Sequence, residues 1–189
     1  MAKKLSEMTL EELWQLFPIF LTEHQPVWAA WYEEEAARLR SLLPAEARVS
    51  HVGSTAVEGL WAKPIIDLLV EVPEGASLEE VGAMLTAQGW RRMSGDERRM
   101  SFNQGYTEQG FAERVFHLHL RYAGDHDELY FRDYLREHPQ AAKEYEGLKL
   151  SLWKRFEHDR DGYTAAKGDL VARYTAAARE LYGDRYSGR

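Results

Sequence analysis

The residues with the most chemical content in this sequence are His51-Val52-Gly53-Ser54-Thr55 and, one apolar run later, the Asp67 of Lys63-Pro64-Ile65-Ile66-Asp67-Leu68-Leu69-Val70. A glycine lets a backbone approach phosphate oxygens closely, and the following hydroxyls and backbone N–H groups can donate to them. That makes Gly53, Ser54 and Thr55 candidates for holding phosphate. A carboxylate on the next strand supplies the hard oxygen that a magnesium ion takes. Lys63, just ahead of that strand, is placed to meet an anion at the rim of the turn. A second reactive group follows in Phe116-His117-Leu118-His119-Leu120-Arg121. Residues i and i+2 of a strand share a face, so His117 and His119 can ligate one metal or serve as a base and its orienting partner. His51, at the edge of the turn, has the same potential, and Arg99, Arg121 and Arg132 are further cations able to meet phosphate. The plain alternative is a tight turn and a sheet with one wet face, which shows the same alternation without any chemistry. Wet faces usually carry Lys, Glu and Thr, however, and His-x-His beside Arg is less common.

Three zones must position these groups. Residues 7–43 read as helical, with Leu10, Leu13, Leu16 and Phe17 at helical spacing and Pro26 opening a second run through Trp28, Tyr32, Ala36 and Leu39. Residues 47–122 read as strands around one helix: Val49 to Val52, Ile65 to Val72, Trp90 to Met93, Arg98 to Gln104 and Phe111 to Tyr122. Pro73 ends the second strand because it has no N–H for the ladder. Ser77 with Glu80 forms a capping-box pattern for the helix that Gly89 closes. Residues 126–182 read as helical again, interrupted at His138-Pro139 and between Phe156 and Gly162. Sorting each strand by alternation puts Asp67, Leu69 and Glu71 opposite Ile66, Leu68 and Val70, and His117, His119 and Arg121 opposite Phe116, Leu118 and Leu120. If these strands are neighbours, one face packs helices and the other gathers Asp67, Glu71, Arg99, His117, His119 and Arg121 in a polar concavity. Lys149 and Lys167 could reach that concavity from the last helices, although their spacing does not require it. The expectation is an α/β (α+β) fold: one domain with a mixed sheet, helices on one face, and helical terminal segments.

Composition narrows the function. The chain has 189 residues, 44% of them hydrophobic, with 24 basic and 31 acidic residues and a formal charge of -7. That balance argues against gripping duplex nucleic acid through a broad basic surface. It leaves room for a small phosphorylated ligand in a locally basic pocket. With no cysteine, disulfide scaffolds, thiolate metal sites and cysteine nucleophiles are excluded. No signal-peptide pattern and no run of about eighteen apolar residues is present, so a cytoplasmic protein without a membrane partner is expected, its oligomeric state open.

The run from His51 to Asp67, the Phe116-His-Leu-His-Leu segment, Phe131-Arg-Asp-Tyr-Leu before His138-Pro139, and the closing Tyr145 to Lys149 and Tyr163-Thr-Ala-Ala-Lys167 stretches resemble the GrpB family, in order, from about Pro26 to Tyr174. That family is similar to the nucleotidyltransferase superfamily of DNA polymerase beta type, and a related domain is fused to dephospho-coenzyme A kinase in some bacteria. The resemblance implies that Gly53 and Ser54 are the phosphate-binding pair and Asp67 the first metal carboxylate. It also implies a second carboxylate two residues on, where this chain has Leu69, and a third on a later strand, where it offers His117 and His119. Glu71 does not replace the missing group, because four residues along a strand span about 13 Å.

Imidazoles in place of carboxylates would shift a metal preference from magnesium toward manganese, zinc or nickel. The first expectation is therefore metal-assisted nucleotidyl transfer, or other chemistry on a nucleotide or phosphorylated small molecule. Asp67 and His119 would be catalytic; Gly53, Ser54, Thr55, Lys63 and Arg121 would bind phosphate, including that of a nucleoside triphosphate; Asp67, His117, His119 and His51 would hold a divalent metal. A metal-free variant uses His119 as the base. The alternatives are a non-catalytic nucleotide-binding module, favoured by Leu69, and a metal-dependent phosphoester hydrolase.

Overall fold

A computed structural model describes residues 3–188. After a short 3-10 turn, helix α1 spans Leu10–Leu16 and α2 spans Val27–Leu42; strand β1 (Arg48–Val52) leads through the Gly53 turn to β2 (Ile66–Val72). Helix α3 (Leu78–Ala87) precedes β3 (Arg91–Gly95), β4 (Arg99–Thr107) and β5 (Gly110–Tyr122), and α4 (Asp127–Glu137), α5 (Pro139–Trp153) and α6 (Arg160–Tyr182) close the chain. The sequence signals for these boundaries act locally. Ser77 accepts from the Glu80 N–H and opens α3, and Pro139 starts α5 where its missing donor is harmless. Thr9 and Glu12 form a reciprocal capping box on α1.

The sheet order is β1-β2-β5-β4-β3, with β2 and β5 parallel and the other pairs antiparallel. Placing β5 beside β2 sets Asp67 level with His117, and Leu69 level with His119. The apolar face carries the main core, in which Trp28, Tyr32 and Leu39 of α2 and Leu78 and Leu85 of α3 pack on Ile66, Leu68, Val70, Leu118 and Leu120. Burying one such side chain is worth about 1.5–3 kcal/mol, so this layer dominates the stability.

Helices also reach the other face, beyond the expected layering. Val52 and Leu69 pack against Leu129, Tyr130, Ala178 and Tyr186 of the C-terminal helices and tail. Leu69 is fully buried there. The polar face is thereby divided. At one end lie Asp67, His117 and His119; at the other, Glu71 accepts from His126 and the Gly124 N–H, and Arg121 pairs with Glu128 and Asp125.

Candidate active site

The pairing of Val52 with Asp67 ends the β1–β2 ladder and brings the Gly53 turn directly against the Asp67 carboxylate. Gly53 has φ 75° and ψ -174°, a region essentially restricted to glycine, and a Cβ there would stand 2.6 Å from Asp67 Oδ2. The other carboxylate oxygen faces two imidazoles. His119 Nε2 lies 3.3 Å from Oδ1 and His117 Nδ1 lies 3.6 Å from the same atom. His117 Nε2 in turn bonds the Tyr106 hydroxyl at 2.6 Å. Burial pushes the Asp67 carboxyl up, but the hydrogen bonds and charge of His117 and His119 outweigh it and hold it far below the usual carboxylate range. Burial lowers the pKa of His117 despite Asp67.

Tyr106 belongs to this site because of a β-bulge. The β4–β5 register shifts between Gln104 and Tyr106, so the residue after Gly105 changes face and Tyr106 joins Phe111 and His117. Gly105 has φ 92°, and a Cβ would lie 2.3 Å from the Arg114 carbonyl oxygen. Simple alternation assigns Tyr106 to the core side with Phe102; glycine inside a strand pattern is the signal for the exception.

A cavity of about 220 Å³ opens beside Asp67. Its floor is Gly53-Ser54, and Lys63, Lys149, Arg160 and Lys167 reach into it. Lys149 Nζ donates to Ser54 Oγ at 2.9 Å and to the Trp61 carbonyl. Lys63 and Lys167 lie over the ring of Tyr163, whose buried hydroxyl has no hydrogen-bond partner among the described residues. None of the four cations forms an ion pair among those residues, and Asp67 is the one carboxylate lining the cavity. Burial lowers Lys63 to about 8, with Arg160 adding to the effect. Burial likewise lowers Lys149 to about 7, assisted by Lys63, and Lys167 to about 7, assisted by Lys63 and Lys149.

Other residues expected at this site lie elsewhere. His51 is level with Leu68, on the opposite face of the sheet from Asp67; it stacks on Tyr32, and burial lowers it to about 4. It does not share a metal position with Asp67. Its Nε2 meets Thr55 Oγ1 at 2.9 Å, and that hydroxyl donates to the Ile65 carbonyl, which engages the side chain expected to bind phosphate. Arg121 is withdrawn by Asp125 and Glu128, Arg99 is held by Asp125, and Arg132 by the His51 carbonyl and Asp133, so none of them faces the cavity. Lys149 and Lys167 line the cavity, and Arg121 does not. Arg160, Tyr145 and Tyr163 were not legible as site residues, because their approach depends on how the last helices fold back.

One carboxylate cannot clamp two divalent ions. Among the described residues no group of three or more His, Cys, Asp or Glu side chains is arranged to hold a metal ion. Both imidazoles instead converge on one Asp67 oxygen as hydrogen-bond partners. The residues as placed do not fit a divalent ion.

Comparison with known proteins bears on the family and the fold. A UPF0157 protein of Pseudomonas aeruginosa is 38% identical over 157 residues, covering 81% of this chain and 64% of its own length. The chain spans about half to two thirds of the first curated relatives it matches. The crystal structure of the conserved protein GrpB from Enterococcus faecalis superposes with a TM-score of 0.73 at 32% identity, covering 86% of this chain and 99% of that one. A chain of the GLD-2/RNP-8 complex superposes with a TM-score of 0.52 at 10% identity over 96% of this chain and 73% of its own, a likeness of fold alone. The family model described as GrpB protein matches residues 18–177, a span that includes Gly53, Asp67, His119 and all four cavity cations. With that span and that superposition, the chain belongs to the GrpB family.

Proposed function

We propose that the cavity beside Asp67 binds the phosphate groups of a nucleotide or phosphorylated small molecule and supports transfer chemistry on them. One observation carries this reading: four basic side chains line one cavity with a single carboxylate. Such an arrangement is electrostatically incomplete until an anion enters. The Ser54 turn, Lys149 and Lys167 would hold the phosphate oxygens. His119, about one quarter exposed and 3.3 Å from Asp67 though not itself lining the cavity, would accept the proton of an attacking hydroxyl, while Asp67 orients the ring and stabilises the imidazolium. In a nucleotidyl transfer, that oxygen would bond to the α-phosphorus as the bond to pyrophosphate breaks, and the cations would neutralise the departing charge.

The test combines binding with product release. Tripolyphosphate and the four ribonucleoside triphosphates, each with and without Mg, Mn, Zn or Ni, are titrated against metal-stripped protein. At 100 times its dissociation constant a ligand stabilises by about 2.7 kcal/mol, a melting shift of about 5–10 °C for this size. Ser54→Ala and Lys167→Ala should lose the shift. Asp67→Asn should keep binding and lose pyrophosphate or phosphate release. Absence of any anion-dependent shift would refute the proposal. Binding without release in wild-type protein would support a second reading, a non-catalytic module, which the burial of Leu69 beneath the C-terminal helices favours.

A further inference from the structure

A second cavity, of about 520 Å³, lies beyond His117 and shares Lys63, Ile65 and Arg160 with the phosphate cavity. Its outer wall is α1 and the residues beside it, of which Leu5 to Phe17 lie N-terminal to the span matched by the family model. The wall is fixed in place: the Ile19 N–H donates to the Glu157 carbonyl, and Trp153 Nε1 donates to the Ile19 carbonyl. Phe17 packs on Tyr106 and Phe111 with ring centroids 4.8 and 5.0 Å apart. Leu10 and Met93, two of the most exposed large apolar side chains in the protein, open onto the same space.

The floor continues the row of residues that crosses the sheet. Arg91, Asn103, His117 and Asp67 are level with one another on β3, β4, β5 and β2. Asn103 is 4% exposed, lines this cavity, and its side chain forms no hydrogen bond among the described residues. An amide that lines the cavity without a protein partner offers a donor and an acceptor side by side.

We infer that this cavity receives a flat heteroaromatic ring joined to the phosphate group, stacked against Phe17 and Tyr106 and read at its edge by Asn103. Lys63 and Arg160, common to both cavities, meet the link between ring and phosphate. An aliphatic chain would fill the aromatic wall but leave the Asn103 amide unmatched. This inference rests on the proposed phosphate site and adds the class of group attached to the phosphate. It also gives the N-terminal segment the role of specificity wall.

The experiment compares tripolyphosphate with the four ribonucleoside triphosphates by calorimetric titration of the full chain, in wild type, Phe17→Leu and Asn103→Leu. The expected result is that at least one nucleotide binds wild-type protein about tenfold or more tightly than tripolyphosphate, the contribution of one stacked base. Both variants should reduce that preference to within about threefold and leave tripolyphosphate affinity unchanged. Tripolyphosphate binding with no nucleotide preference, or a preference that both variants retain, would overturn the ring site while leaving the phosphate site standing. Loss of tripolyphosphate binding in wild-type protein would overturn both.

Discussion

Replacing Lys167 with methionine should stabilise the free protein while weakening its hold on phosphate. Lys167 is half-buried, lies over Tyr163, and shares its cavity with Lys63, Lys149 and Arg160 without an ion pair among the described residues. Burial first, and then those neighbours, lower its pKa from 10.5 to about 7. Each unit of such a shift corresponds to about 1.4 kcal/mol of penalty on the charged form. The full shift would give about 4–5 kcal/mol, an upper bound, because water entry and side-chain relaxation reduce it. A working range of about 1–3 kcal/mol predicts a melting temperature higher by about 2–10 °C at neutral pH.

The sign with pH follows from proton counting. Between about 7 and 10.5 the unfolded chain binds more protons at this position than the folded one, so wild-type stability rises with pH across that window. The advantage of Lys167→Met should therefore be largest at and below pH 7 and shrink toward pH 10.5. Losing one charge-assisted hydrogen bond should also weaken tripolyphosphate binding by about 10- to 100-fold, from about 1.5–3 kcal/mol. Calorimetric melting from pH 6 to 10, with titration at neutral pH, measures both effects. A variant that melts below wild type at pH 7, or keeps full anion affinity, would refute the idea of an unpaired cation held ready for phosphate.

Three further substitutions examine the rest of the site. Leu69→Asp restores a carboxylate to the position the family resemblance implies, but beneath Leu129 and Tyr130. It should cost about 3–5 kcal/mol as an uncompensated buried charge, lowering the melting temperature without adding a magnesium-dependent nucleotide shift. A stable variant that gains such a shift would show that the C-terminal helices do not seal this position. Gly53→Ala should cost about 1–3 kcal/mol from backbone strain and, by driving Asp67 aside, abolish turnover in the same release assay. Asp67→Asn should flatten the acid limb of a stability profile. The depressed Asp67 carboxyl contributes stability that is present above its ordinary value of 3.8 and is lost as the pH falls below it, so wild type and variant should converge in acid.

The parts of the site legible in the sequence are those fixed by short-range geometry. Gly53 and Ser54 follow β1 directly, and Asp67 sits at a set position on β2, so local alternation and turn chemistry place them. The alternation also carried a signal against His51, which shares parity with Val49, and Val49 packs in the main core. Arg121 was misplaced for a different reason. Its parity is correct, but Asp125 and Glu128 on the following turn and helix are closer partners than any ligand at Asp67. Sequence alternation cannot weigh such competition between ion pairs. Tyr106 escaped because Gly105 shifts the register by one residue, which moves every later side chain of β4 to the other face.

Lys63 was expected at the site, but the sequence shows Lys149 and Lys167 only as able to reach it and Arg160 escaped, because the convergence of these cations is tertiary. Lys149 and Lys167 come from different helices, and the break at residues 154–159 sets the angle that brings Arg160 back over Ser54. Leu69 belongs to the same rearrangement. Leu69, where a second metal carboxylate would be expected, lies under Leu129 and Tyr130 of α4, Ala178 of α6 and Tyr186, so α6, which delivers Arg160 and Lys167, also helps to cover that position. A metal pair neutralises a phosphate chain from the ligand side, whereas lysines delivered by packed helices do so from the protein side. In this chain Leu69 is buried where the resemblance would put a second carboxylate, and the imidazoles of His117 and His119 converge on one oxygen of Asp67.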